Sequence, residues 1–320
     1  MTALIEAEEL SKSFGTLRAV DGISLTVPRG QVLGFLGPNG AGKSTTMRMI
    51  TGFLEPDAGC VRIAGFDVEE QPKQAKRRLG YLPEGAPLYA EMTPRSLLRF
   101  IAEVRGFAGA EATKRIDAAV EKTGLGSVLD QMIETLSKGY KRRVGLAQAI
   151  LHDPEVLIMD EPTDGLDPNQ KHQVRALIAE MSKDKAIVVS THILEEVEAV
   201  CSRAIVINKG RIVADGTAEE LMKRDPGHGA VAIKVASERA QAVRSALSAL
   251  AGIDKVETVG SSGPQHELRL IPKNGAAIAA DVAALFREKS IVVDAFQVER
   301  GKLEDVFRQI TTTDEGSRHA

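Results

Sequence analysis

The stretch "GPNGAGKST" sets Gly37, Gly40 and Gly42 among small residues and then offers Lys43, Ser44 and Thr45. Glycines let a backbone turn tightly enough for successive N–H groups to converge, and a helix starting there adds the positive end of its dipole. That combination suits phosphate. The spacing is the P-loop pattern G-x-x-x-x-G-K-[ST]. Gly37, Pro38, Asn39, Gly40, Ala41, Gly42, Lys43, Ser44 and Thr45 would enclose nucleotide phosphates, Lys43 reaching the terminal ones and the Ser44 hydroxyl binding Mg²⁺. A chance glycine loop is the alternative, but a β-rich run precedes the motif and a helical pattern follows it.

A second chemical signal is "VLIMDEP", Val156 to Pro162. A carboxylate ending a buried strand is costly unless it meets a cation or a hydrogen-bond network. Asp160 is therefore placed to hold Mg²⁺, directly or through water, and Glu161 to act as base toward an attacking water. The other reading makes Asp160 a strand-end cap.

These residues need elements to hold them. "QVLGFLG" (Gln31–Gly37), "VLIMD" (Val156–Asp160) and "AIVVS" (Ala186–Ser190) are short continuous apolar runs. Such runs suit parallel strands covered on both faces, with a helix following the glycine turn from about Lys43. "PRSLLRFIAEVRGF" (Pro94–Phe107) and "TKRIDAAVEKTGL" (Thr113–Leu125) have helical spacing and insert a helical block, about residues 88–150.

The character changes at "DPGHG" (Asp225–Gly229), a linker signal. Beyond it the pattern predicts strand Val231–Val235, helix Glu238–Leu250, strand Ile253–Val259 and a loop "SSGP". Strand His266–Ile271, helix Ala276–Lys289 and strand Ile291–Val298 follow. That β-α-β-β-α-β order is a ferredoxin-like unit. We expect one domain over 1–225, an accessory domain over 230–311 that includes a last helix "LEDVFRQIT", and a frayed tail over 312–320.

Composition limits the rest. With 320 residues, 43% hydrophobic and 27% charged, the chain suits two globular domains. A formal net charge of −3 offers no whole-molecule attraction to nucleic acid or anionic lipid. Cys60 and Cys201 lack metal-ligand spacing and fit a reducing compartment. No apolar run is long enough to span a bilayer, and the acidic start "MTALIEAEEL" is unlike a secretory signal. We expect a cytoplasmic chain with no direct membrane insertion and no nucleic-acid partner.

"GPNGAGKST", "LSKGYKRR", "VLIMDEPTDGLDP" and "VVSTHILEE" occur in the order and spacing of an ABC-transporter ATP-binding subunit. The resemblance covers about Leu4 to Met222. The chain is similar to the cassettes of ABC-2-type exporters, and "YLPEGAPLY" and "LSKGY" resemble their gliding-motility-type group. The carboxy-terminal region is similar to the small accessory domain of many such cassettes. The fold implied is an α/β P-loop NTPase domain with a helical subdomain, plus a small α+β ferredoxin-like domain.

The same resemblance implies ATP and Mg²⁺ as cofactors and a head-to-tail homodimer. The signature loop Ser137, Lys138, Gly139 and Tyr140 would close in trans on the partner's ATP. It further implies that His192 contacts the γ-phosphate, that Phe14 stacks on adenine, and that Asp167 lies in a loop linking the two sites. Phe14 could instead be core, His192 a surface residue, and Asp167 a helix cap. The segment Tyr89 to Phe107 would receive a separate membrane-spanning permease, which holds the cassette at the cytoplasmic face. His152 has no such context and reads as structural.

The chain departs from the family pattern at two places. Lys138 and Tyr140 replace the usual third and fifth residues of L-S-G-G-Q. Lys138 could add charge at the phosphate or point into solvent, and a solvated face is equally open for Lys141, Arg142 and Arg143. Glu84 stands where a glutamine usually touches Mg²⁺; it could bind the cation or sit on an exposed loop. A soluble ABC ATPase without a transport role is the alternative function. A non-catalytic scaffold is disfavoured by Lys43, Asp160, Glu161 and His192 together.

Overall fold

The computed structural model describes residues 3–85, 87–225, 227–262 and 265–312. The chain divides into two compact units, Met1–Thr217 and Ala218–Ala320.

In the first unit β1 (Ala3–Phe14) and β2 (Leu17–Pro28) form a long hairpin. β3 (Val32–Leu36) then runs through the glycine turn into α1 (Lys43–Ile50). β4 (Ala58–Ile63) and β5 (Phe66–Asp67) come next, followed by α2 (Pro72–Arg78) and β6 (Leu79–Leu82). The helical block is α3 (Pro94–Val104), α4 (Gly109–Thr123) and α5 (Lys138–Ile150). β7 (Val156–Asp160), α6 (Pro168–Met181), β8 (Ala186–Ser190), α7 (Leu194–Val200), β9 (Arg203–Asn208) and β10 (Arg211–Gly216) complete it.

Two sheets result. An antiparallel sheet has the order β2-β1-β4-β5, and a six-stranded sheet the order β10-β9-β3-β8-β7-β6. Within the latter all neighbours are parallel except the edge pair β10–β9. Every residue of β3, β7 and β8 is buried, because these central strands are covered on both faces, and this is why their sequences show no alternation. The register aligns Phe35, Ser190 and Asp160 across β3, β8 and β7. Their carboxyl ends therefore emerge side by side, the place where open parallel sheets bind ligands.

The helical block covers one face. Leu97, Leu98, Ile116, Ala119 and Val144 share a core with Leu157, Met159, Ile187 and Val189 of the sheet. α3 stops at Val104, short of the expected Phe107, because Gly106 turns left-handed (φ 86°). The antiparallel sheet, whose strands mix buried and exposed positions, was not specified by the apolar runs.

In the second unit α8 (Ala218–Met222) precedes β11 (Val231–Ala236), α9 (Ser237–Ser248), β12 (Ile253–Ser262) and β13 (Gln265–Pro272). α10 (Ala279–Glu288), β14 (Ala295–Val298) and α11 (Leu303–Thr312) follow. The sheet order β12-β13-β11-β14, antiparallel throughout, is that of a ferredoxin-like β-α-β-β-α-β unit. Val243 and Leu247 of α9 and Val282 and Leu285 of α10 pack on Ile233, Val235, Leu268 and Leu270 of the sheet.

Two expectations shift here. β14 starts at Ala295 rather than Ile291, since Ser290 turns left-handed (φ 50°) and the Ile291 N–H caps α10 at the Phe286 carbonyl (2.9 Å). The turn expected as a linker lies inside the second unit. The Asp225 carboxylate accepts from the Gly227 and Lys302 N–H groups, both at 2.9 Å. Gly263 and Pro264 of the expected "SSGP" loop, and the expected tail from residue 313, lie outside the described residues. Among the described residues no helix is long and apolar enough to cross a membrane.

Candidate functional site

The glycine turn is built as its composition requires. Gly42 adopts φ 106°, and a Cβ there would meet the Ala19 carbonyl at 2.5 Å; a Cβ on Gly37 would meet the Ile207 carbonyl at 2.5 Å. Gly42 caps α1 without any side-chain hydrogen bond, and the first turn holds no acidic residue. The helix therefore presents uncapped N–H groups and its positive end to an incoming anion. Lys43, 7% exposed, donates from Nζ to the Gly37 carbonyl (2.6 Å) and the Pro38 carbonyl (3.1 Å). Burial pulls its pKa down, against the raising fields of Glu161, Asp160 and Glu84. Ser44 and Thr45 are half-buried beside it.

Asp160 ends β7 with 2% exposure, and the Ser190 hydroxyl from β8 donates to its Oδ1. Glu161 leaves the strand with φ 52°, a left-handed conformation that costs a non-glycine residue roughly 1–2 kcal/mol. Its N–H donates to the carbonyl and the hydroxyl oxygen of Ser190, both at 3.2 Å, which helps hold that turn. His192 Nδ1 lies 2.9 Å from Glu161 Oε1. Burial raises the Glu161 pKa, the His192 contact and Lys43 lower it, and Asp160 raises it further; the net direction is up. A carboxyl group so placed holds a proton more readily than a solvated one.

Glu84 is exposed just past β6, and its charge acts on both Lys43 and Arg142. Lys43, Glu84, Asp160, Glu161 and His192 thus converge. The start of α5 is arranged separately. The Ser137 hydroxyl accepts the Tyr140 N–H (3.3 Å) as a cap, and Lys138 pairs with Asp164 at 2.8 Å in an exposed ion pair. Gly139 has no room for a Cβ, which would meet Gln170 Oε1 at 2.7 Å. Asp167 caps α6, accepting the Gln170 N–H at 2.9 Å. Phe14, at the tip of the β1–β2 hairpin, is 51% exposed, which excludes the core reading. The same hairpin sets the Ala19 backbone against Gly42.

The solvated reading of Arg142 and Arg143 is wrong. Arg142 is 7% and Arg143 9% exposed. Arg143 donates to Gln173 Oε1 (2.7 Å) beneath the Tyr140 ring, while Arg142 spends its guanidinium on backbone carbonyls.

The family described as ABC transporter matches residues 20–164. The linearmycin resistance ATP-binding protein LnrL of Bacillus subtilis (strain 168) is 34% identical over 96% of this chain and 98% of its own. The chain belongs to the ABC transporter ATP-binding family. The Nod factor export ATP-binding protein I of Paraburkholderia xenovorans (strain LB400) is 39% identical over 70% of this cassette and 74% of itself. A solved ATP-binding subunit of an ABC transporter is 33% identical, with TM-score 0.64, covering 69% of this cassette and 92% of that chain.

ATP and Mg²⁺ fit the residues present. Among the described residues of the cassette no three His, Cys, Asp or Glu side chains cluster to hold a metal. Mg²⁺ dehydrates reluctantly and usually takes one or two protein carboxylates or hydroxyls together with substrate phosphates and water. The Ser44 hydroxyl and the buried Asp160 carboxylate are such a partial set, beside an uncapped helix start.

Sequence reasoning missed three supports of the cassette's site. Ser190 links Asp160 to Glu161. Glu196, 4% exposed, accepts from Thr163 (2.5 Å) and Thr191 (3.0 Å), bridging the loops that carry Glu161 and His192. Arg142 is the third. Only the cluster of hydroxyls near each carboxylate hinted at the first two.

Proposed function

We propose that this cassette hydrolyses ATP as one half of a head-to-tail homodimer and energises export through a separate membrane-spanning permease at the cytoplasmic face of the membrane. The observation that carries the reading is the convergence of Lys43, Asp160, Glu161 and His192 at the carboxyl ends of β3, β7 and β8. Lys43 leaves its loop carbonyls to bind the β- and γ-phosphates, with the α1 N–H groups. Ser44, Asp160 and Glu84 would hold Mg²⁺, which when bound would screen the phosphate charge. Glu161 accepts the proton of the attacking water, and His192 holds Glu161 and faces the γ-phosphate. Phe14 offers its ring to adenine, a contact that any base satisfies.

The trans role of Ser137 and Gly139 is supported by chemistry. The Ser137 oxygen accepts a backbone N–H, so its own proton remains available to an anion. Leu166, in the loop before α6, and Gln170 of α6 lie against Gly139, which supports putting Asp167 at the same proposed dimer face. The named export role of a relative supports transport out of the cell, and the substrate is set by the permease.

A groove of about 1160 Å³ supports permease docking. Phe53 (72% exposed), Val104 (67% exposed), Tyr81 and Glu84 are among the residues that line it. Exposed apolar side chains of this kind mark a partner surface. Because Glu84 belongs to both groove and nucleotide cluster, an occupant there reaches the site directly.

The test is Glu161→Gln. It should retain ATP binding, lose steady-state turnover, and accumulate as an ATP-locked dimer. Turnover near the wild-type rate would remove Glu161 as the base. Copurification of the cassette with a polytopic membrane protein separates transport from a soluble role, and its absence under mild detergent favours the latter.

A further inference from the structure

The buried guanidinium of Arg142 touches three carbonyls in two segments, the turn before Glu84 and the end of β7. It donates to Pro83 (2.7 Å), the residue before Glu84; to Glu161 (2.7 Å); and to Asp160. Asp160, Asp164, Glu161 and Glu84 all act on its charge and offset part of its burial. An arginine stays protonated in such a place and offers a rigid fork of donors. The carbonyls it holds are those whose orientation decides where Glu161 and Glu84 point, and Glu161 already sits in an unfavourable backbone conformation.

Arg142 lies on α5, the helix whose start carries Ser137 and Gly139. Lys138 is four residues earlier, on the same face, and pairs with Asp164. The helix is thus tied by two cations to the end of β7 and the loop after it in its own chain, while Ser137 at its start is exposed. A short helix moves as a rigid body. Any displacement of its start on meeting an anion therefore carries the Arg142 fork, and with it the Pro83, Asp160 and Glu161 carbonyls.

We propose that Arg142 is a positioning residue that orients Glu161 and Glu84 in its own site according to whether α5 has closed on the nucleotide of the partner. The proposal rests on the trans reading of Ser137 and the base role of Glu161. It makes hydrolysis at one site depend on occupancy of the other through one side chain, without any contact between Arg142 and ATP.

The experiment uses the full chain with Arg142→Lys, Arg142→Gln and Arg142→Ala. A general base displaced by about 1 Å loses on the order of 10²-fold in rate. Arg142→Ala should therefore lower kcat by about that factor, with ATP affinity changed less than about twofold, and the Hill coefficient for ATP should fall toward one. Arg142→Lys, which keeps a charge and can reach one or two of the carbonyls, should recover part of kcat, and Arg142→Gln less. ATP-driven dimerisation, read by size-exclusion chromatography in the Glu161→Gln background, should persist in all three.

If Arg142→Ala lowers melting temperature and ATP affinity together with kcat, and Arg142→Lys repairs none of it, the residue is only structural and the proposal fails. Unchanged kcat or an unchanged Hill coefficient in a folded variant also overturns it. Failure of the underlying reading looks different: Glu161→Gln alone would turn over, or Ser137→Arg alone would still dimerise with ATP.

Discussion

Three helices of the first unit begin at motif residues, and they begin differently. α6 is closed by its own side chains: Asp167 and Gln170 form a reciprocal cap and Pro168 opens the first turn. α1 is left open, with Gly42 as its cap, no hydrogen-bonding side chain there and no acidic residue in its first turn. α5 lies between, capped by the Ser137 oxygen but with the hydroxyl proton uncommitted. A capped start is complete without a ligand, whereas an open one leaves backbone donors that only solvent or an anion can satisfy. The difference separates a helix start that supports the fold from one that waits for phosphate.

The sharpest test of the open start is Lys43→Ala. Removing the cation beside the uncapped N–H groups should weaken phosphate binding and lower turnover by roughly 10²–10³-fold. Equilibrium titration with a fluorescent ATP analogue and a steady-state assay check it, and unchanged affinity would equate α1 with α6. For the intermediate start, Ser137→Arg should leave monomer binding of ATP intact and abolish ATP-driven dimerisation. Light scattering with and without ATP reads the result; a persistent dimer would make the start of α5 an ordinary cap.

The opposite end of α5 provides a smaller, pH-dependent effect. His152 is 9% exposed, with its Nε2 3.0 Å from the Leu79 carbonyl. Burial, helped by the Arg105 charge, pushes its pKa from 6.5 down to about 4. Because the folded pKa is depressed, neutral His152 contributes fully above pH 6.5. That contribution is lost as the pH falls from 6.5 toward 4, where the unfolded chain takes up the proton more readily. The full loss is about 3 kcal/mol. Urea midpoints at pH 7.5 and pH 5 should diverge less for His152→Gln than for the wild type, and equal divergence would refute a buried neutral imidazole.

The smallest effect belongs to the closed start. Asp167→Ala removes one cap and should cost about 1 kcal/mol. Asp167→Asn should restore most of it in thermal melts, and a loss several times larger would mean that Asp167 holds more than its own helix.

Much of the site was legible because its chemistry is local. The glycines, Lys43 and Ser44 act within one turn, and Asp160 and Glu161 follow directly from the strand that carries them. The central strands were equally plain, since burial on both faces leaves continuous apolar runs at β3, β7 and β8. The β1–β2 hairpin and its sheet were not, because strands with one wet face and frequent register shifts blur the alternation. The start of β14 was missed because Ile291 and Val293 look strand-like while the cap of α10 had already taken the backbone.

By itself the sequence determined the glycine turn between a strand and a helix, the adjacent carboxylates Asp160 and Glu161 at a strand end, three continuously buried strands and the β-α-β-β-α-β pattern of the second unit. Each depends on neighbours a few residues away, so residue type and spacing suffice. Only the tertiary structure decided that Arg142 and Arg143 turn inward, that Ser190 joins Asp160 to Glu161, and that Glu196 ties two loops together. These depend on which carbonyls and hydroxyls of distant segments meet a given side chain. A basic run beside a helix start reads as solvated until the strand ends that accept its hydrogen bonds are in place.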